Sequence, residues 1–245
     1  MCIQAKNGVA HKPRQKDSRA GLFRVKAVVF DFDGTLTLPV NDETTWEKIW
    51  KFLGYNANEC AYFYRLFFEG KLSHEKWCKL TCRKFKARGL TQNQLLQIGR
   101  TTTLVRDLSE VLCRLKQRRI KLYLLSGSIK QAIRESLGEL TELFEDISAN
   151  DIFFGRDGVI SEIRGTKYDF WGKADFLRDV INENHLLPLE VLFVGNSYND
   201  EWASQSGVRT LCVNPRFTNP DICDHWMYCI RRMDSLTEIL PYVGQ

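Results

Sequence analysis

Long apolar runs are missing from this chain. No stretch approaches the ~20 residues that a membrane-crossing helix needs, and the first thirty residues lack the apolar core of a secretory leader. The expectation is a cytoplasmic protein that engages no membrane. Paired cysteines are missing too: eight cysteines are scattered from Cys2 to Cys229 without a CxxC, the pattern of reduced thiols and not of a disulfide scaffold. A basic face is also lacking. Lys6, Lys12, Arg14, Lys16, Arg19, Arg24 and Lys26 stand against Asp17 alone, so the first 26 residues carry +6 and the rest −1 of the formal net charge of +5. The pI of 8.7 therefore describes a tail, which argues against nucleic acid as a partner. With no apolar residue between Ala10 and Ala20, residues 1–24 read as a disordered basic tail, with an electrostatic tether as the minor alternative. Repeats and low-complexity segments are absent, and no pattern encodes an oligomeric state.

What is present is core-forming material: 44% hydrophobic and 12% aromatic residues in 245, enough to fold without staples. Val25 to Phe30 is a nearly continuous apolar run, as expected for a parallel strand covered on both faces. Helical signals follow. Asn41 or Asp42 can cap a segment reaching Leu53 and stopped by Gly54, and a second segment ends before Gly70. Ser73 can cap a third, ending at Gly89, and Thr91 with Gln94 reads as a capping box for a fourth. Strand and helix then alternate: a helix over Leu108 to Gln117, a strand over Ile120 to Leu125, a helix after Ser128 and a hairpin around Gly155 to Gly158. A helix from Lys173, strands Val191 to Val194 and Thr210 to Val213, and a short helix near Leu236 complete the pattern. This predicts an α/β fold, a doubly wound parallel sheet (25–40 and 105–245) interrupted by an all-helical insertion (41–104).

In open parallel sheets, ligands bind beyond the carboxyl ends of the strands. The residues following three predicted strands are Asp31 and Asp33; Ser126 and Gly127; and Asn196 and Asp200, with Lys173 opening the preceding helix. A phosphomonoester is dianionic, so a carboxylate can attack it only where cations cancel the repulsion. Lys173 and a hard cation among oxygen ligands would do so. Asp31 can then attack in line, while Asp33, two residues on, can protonate the departing alkoxide and later activate water. Ser126 and neighbouring N–H groups can hold the transferring phosphoryl oxygens.

These residues resemble the four motifs of the haloacid dehalogenase superfamily, in its phosphatase branch. The first is Asp31-Phe32-Asp33-Gly34-Thr35-Leu36-Thr37, the second Leu125-Ser126-Gly127, the third Lys173 and the fourth Gly195-Asn196-Ser197-Tyr198-Asn199-Asp200. Lys167 is a rival third motif, but Lys173 stands 23 residues before Asn196, the separation that phosphoserine phosphatases resemble. The resemblance implies a Rossmann-like core with a helical cap, an aspartyl-phosphate on Asp31, and Mg²⁺ held by Asp31, the Asp33 carbonyl, Asn196 and Asp200. The second acid, Asp33, favours phosphoryl over carbon–halogen chemistry. One departure is Asn196, where the family usually has an acid; losing that charge would weaken Mg²⁺ binding, with Asp200 able to compensate.

Phe68-Glu69-Gly70-Lys71-Leu72 resembles part of phosphoserine phosphatase, yet that family's amino-group ligand falls near Val40 and its carboxylate-binding arginine near Thr81. A small-molecule phosphate ester is thus implied, without phosphoserine in particular. A phosphotransferase or mutase using the same aspartyl-phosphate, and a weakened binding or regulatory relative, are the rival readings. Trp46 and Trp50 share a helix face, as bundle packing or as a platform for a ring-bearing substrate. His74, Cys78 and Cys82 read as buried thiols beside a satisfied histidine, a soft-metal site being the lesser alternative.

Overall fold

Alternating side chains of the run Ala27–Phe30 enter two different apolar layers. Ala27 and Val29 face one and Val28 and Phe30 the other, which is why the segment carries no polar residue. In the computed structural model, which describes residues 23–38, 43–216 and 225–244, this segment is β1, the central strand of a seven-stranded sheet. The others are β2 (Lys121–Ile129), β3 (Asp146–Phe154), β4 (Ile160–Arg164), β5 (Val191–Gly195), β6 (Arg209–Val213) and β7 (Tyr228–Ile230). Their order is β4-β3-β2-β1-β5-β6-β7, and every pairing is parallel except β3 with β4. Phe30 pairs with Leu124 on one side and Val194 on the other, so three chains leave the sheet side by side at the same edge.

Between β1 and β2 lie four helices, α1 (Thr45–Phe52), α2 (Ala57–Phe68), α3 (His74–Ala87) and α4 (Gln92–Arg100), with α5 (Leu108–Gln117) leading into β2. Then come α6 (Lys130–Leu137), α7 (Gly172–Glu183) and α8 (Leu240–Val243). Ser73 caps α3, and Thr91 forms the expected capping box with Gln94. The cap of α1 is Thr44, boxed with Glu47, in place of Asn41 or Asp42, which lie outside the described residues. Gly54, Gly70 and Gly89 follow α1, α2 and α3 with φ of +73°, +68° and +69°, the left-handed turn that ends a helix.

The inserted helices share a core of their own. Trp50, 2% exposed, meets Tyr55, Phe63 and Phe85 at ring separations of 5.0, 5.8 and 5.3 Å. This core is continuous with Ile129, Ala132, Ile152, Ile160 and Ile163, so the insertion is seated on α6 and the β3–β4 hairpin. At Gly99 a Cβ would lie 2.8 Å from the Ala132 carbonyl oxygen, which sets how closely α4 lies on α6. Among the described residues no helix is long and apolar enough to cross a membrane, and Cys60, Cys78, Cys82 and Cys113 are free thiols. The basic tail lies outside the described residues up to position 22.

Candidate active site

Asp31 leaves β1 with its N–H bonded to the Val194 carbonyl at 2.8 Å, which continues the sheet pairing into the first residue of the loop. Its side chain is buried beside Lys173, whose Nζ stands 3.3 Å from Asp31 Oδ1 and also bonds Asp200 Oδ1. Burial works against the Lys173 charge, but the carboxylates of Asp200 and Asp31 outweigh it and hold the ammonium protonated. Asp31 is pushed up to about 7, mainly by burial and then by the negative charge of Asp200, with Lys173 opposing both. Lys167 has no part in the cluster; its ammonium lies over the Tyr168 ring, 4.5 Å from the centroid.

Asp33 is held by the insertion. Thr45, the first residue of α1, donates its hydroxyl to Asp33 Oδ1 at 2.7 Å and its N–H to Oδ2 at 3.1 Å. A carboxylate at a helix N-terminus also gains from the helix dipole. Burial nevertheless raises the Asp33 pKa, and the Thr45 bonds offset only part of that rise. The next residue, Trp46, donates its indole N–H to the Gly127 carbonyl at 2.7 Å, and the one after, Glu47, accepts from Arg216 Nη2 through both oxygens at 2.7 Å. One turn of α1 thus touches three different segments of the site.

Ser126 and Gly127 fall within the last residues of β2, which runs on to Ile129 and is longer than expected. Ser126 Oγ accepts the Ser128 N–H at 3.1 Å. The Gly127 carbonyl receives, besides Trp46, the Asn150 amide at 2.6 Å, so this peptide is clamped with its oxygen turned toward the donors. Asp169 packs against Gly127 so closely that a Cβ there would sit 2.7 Å from its carboxylate. Thr45, Asn150 and Asp169 have no place in the sequence-based expectation, and Trp46 enters it only as bundle packing or a platform for a ring, not as a partner of Gly127. Asn150 stands among other polar residues of β3, and Trp46 meets a partner 81 residues away, so local pattern supplies neither contact.

The loop after β5 is folded by Asp200. Its Oδ2 accepts from the N–H groups of Asn196 and Ser197 at 3.0 and 2.9 Å and from Ser197 Oγ at 2.9 Å, while Oδ1 is taken by Lys173. Both oxygens are committed. Asn196 differs: its Oδ1 is buried without a hydrogen-bond partner, and its Nδ2 lies over Gly34, where a Cβ would come within 1.9 Å. Gly34 also has φ of +78°, so the turn needs glycine for conformation and for space. An orphaned buried amide oxygen ordinarily finds a partner. With the Asp31 carboxylate and the Asp33 carbonyl it completes a set of hard oxygen donors of the kind Mg²⁺ prefers, so the residues fit that ion, with Asn196 and not Asp200 offering the uncommitted oxygen. Among the described residues no group of three or more His, Cys, Asp and Glu is arranged for a metal, and the His74, Cys78, Cys82 series is accordingly not one.

Above these groups is a cavity of about 330 Å³, floored by Asp31, Asp33, Ser126 and Asn196 and roofed by Trp46, Tyr64 and Trp77 from the insertion. A carboxylate pair and a lysine at the carboxyl edge of a parallel sheet, covered by inserted helices, define a hydrolase of the haloacid dehalogenase type. The family model of haloacid dehalogenase-like hydrolases matches residues 25–206, and the chain belongs to this family.

Solved structures agree in fold. A haloacid dehalogenase family hydrolase from Salmonella enterica serovar Typhi superposes with a TM-score of 0.74 at 16% identity, over 91% of this chain and 72% of its own. A phosphoserine phosphatase captured as a phospho-aspartyl intermediate analogue gives 0.70 at 21% identity, over 89% and 99%. The phosphoserine phosphatase from T. onnurineus gives 0.62 at 19%, over 92% and 96%. No curated protein matches the chain in sequence.

Proposed function

We propose that this protein is a Mg²⁺-dependent phosphomonoester hydrolase that works through an aspartyl-phosphate on Asp31, with the inserted helices as its cap. The observation that carries the reading is the buried cluster at the sheet edge: Asp31 beside the Lys173 ammonium, Asp33 two residues on, and the unpartnered Asn196 oxygen facing the same cavity. Lys173 draws in the dianionic phosphoryl group and, with the Ser126–Ser128 segment, holds its oxygens. Asp31 attacks phosphorus and the bond to the alcohol oxygen breaks; Asp33 in its protonated form, which burial favours, gives that oxygen its proton. The resulting Asp33 carboxylate then takes a proton from water, whose oxygen attacks phosphorus and frees Asp31 and inorganic phosphate. Mg²⁺, held by Asp31, the Asp33 carbonyl and Asn196, would supply charge neutralisation for the incoming phosphate and the attacking carboxylate.

The test is phosphate release from small phosphomonoesters with Mg²⁺ and with EDTA, beside Asp31→Asn. Metal-dependent release abolished in the variant supports the mechanism, and turnover retained by Asp31→Asn would exclude covalent catalysis. Free acceptor alcohols added to the same assay would reveal phosphoryl transfer as a product other than inorganic phosphate.

A further inference from the structure

Resting on the phosphatase reading, we infer that the cap selects phosphate esters of an uncharged alcohol bearing a flat ring. Two observations point there. The first concerns charge. Apart from Lys173, buried behind Asp31, the guanidinium that faces the cavity belongs to Arg216, and Glu47 takes its Nη2 with both oxygens at 2.7 Å. Asp169 adds a further carboxylate, with His74 Nε2 at 3.9 Å from it. A leaving group carrying its own carboxylate or a second phosphate would therefore be desolvated against Glu47 and Asp169, and the one guanidinium among the described lining residues is already paired with Glu47.

The second observation concerns shape and surface. Trp46, Tyr64 and Trp77 of the cap and Phe170 and Tyr198 of the core line the cavity, and its volume of about 330 Å³ suits a small ring and not a large ligand. Trp50 is spent on the bundle core, but Trp46 is fixed by its indole N–H to Gly127, so its ring is pinned beside the phosphate-binding loop. Phe170 has a φ of +49°, an uncommon conformation for a bulky residue, and packs 4.6 Å from Phe67 of α2. It joins the cap's aromatic cluster to the start of α7, where its carbonyl accepts the Lys173 N–H at 3.0 Å. Thr81, 2% exposed, lines the same cavity with a hydroxyl that has no partner. A buried hydroxyl left free in this way faces a ligand or water; it is neutral, which again suits an uncharged alcohol.

Benzyl phosphate, ethyl phosphate and O-phosphoserine test this, because benzyl alcohol and ethanol are of similar basicity and differ mainly in the ring. Burying the ring predicts kcat/KM for benzyl phosphate about thirtyfold above ethyl phosphate, with O-phosphoserine no better than ethyl phosphate. Trp77→Ala should bring the benzyl-to-ethyl ratio to within about threefold of one; a ratio is insensitive to how much of the variant folds. A wild-type ratio near one, a preference for O-phosphoserine, or a ratio untouched by Trp77→Ala would overturn the inference. Benzylphosphonate and ethylphosphonate binding, read by tryptophan fluorescence, separates it from the reading beneath. If no ester is turned over, the phosphatase reading falls; tenfold tighter benzylphosphonate binding would still uphold the ring pocket, and equal binding would remove it.

Discussion

Asp33 and Asn196 carry the sharpest expectations for single side chains. The Thr45 hydroxyl stabilises the charged form of Asp33 against the effect of burial. Thr45→Val should therefore raise the Asp33 pKa further and move the alkaline limb of the kcat profile, where the protonated acid is lost, to higher pH. It should also slow turnover by about tenfold through lost positioning. A pH–rate series on both proteins checks this, and an unmoved alkaline limb would show that Thr45 does not act through Asp33. Asn196→Asp places a negative charge where the structure offers a neutral oxygen. A unit charge about 4 Å from another is worth up to ~4 kcal/mol at an effective dielectric near 20. Shared with solvent and the other ligands, this should appear as at least a tenfold lower Mg²⁺ dissociation constant by titration calorimetry.

Helix ends were legible because their signals are local. Leu108–Gln117 emerged with the expected limits, and the Thr91–Gln94 box formed as written. The first half of β3 was not read, since Ser148, Asn150 and Asp151 break the apolar pattern; Asn150 is there to hold Gly127 and the Thr166 N–H, a demand of the site and not of the strand. β7, three half-buried residues at the sheet edge, carries too little pattern to read. For the inserted helices, stability should rest on Trp50, which three rings enclose. Trp50→Ala should cost about 3–5 kcal/mol in urea unfolding. Ser73→Ala, which removes only the cap of α3, should cost about 1 kcal/mol.

For the molecule as a whole, the half-buried Glu201 and the buried Asp31 near the sheet edge contribute to how stability follows pH. Glu201 is pushed up to about 7 by burial and then by Asp200. Its folded pKa thus exceeds the ordinary value of 4.5, so between those values the folded state holds a proton that the unfolded chain has released. Stability should be greatest below this window and fall as pH rises through it. Glu201→Gln should flatten the decline in Tm between about pH 5 and pH 7.5; a slope identical to that of the parent would assign the effect elsewhere, Asp31 contributing with the same sign. The carboxylates, lysine and asparagine that the structure brings together could be found in the sequence because the chain leaves each strand at a predictable edge. The cap's contribution could not, because Thr45, Trp46 and Glu47 find their partners only after the insertion has folded back over that edge.

Those three neighbours have a further consequence. A residue step around a helix is about 100°, so any roll of α1 by one position would detach Asp33, Gly127 and Arg216 together. The first turn of α1 has a single workable phase, and drift in its sequence is confined accordingly. Change in what the enzyme accepts must then be written elsewhere, in the stretches of α2 and α3 that supply Tyr64, Trp77 and Thr81. The insertion is divided into a face fixed by contacts to the sheet edge and a face free to vary, so lineages of this protein could change the cavity's lining without disturbing those contacts.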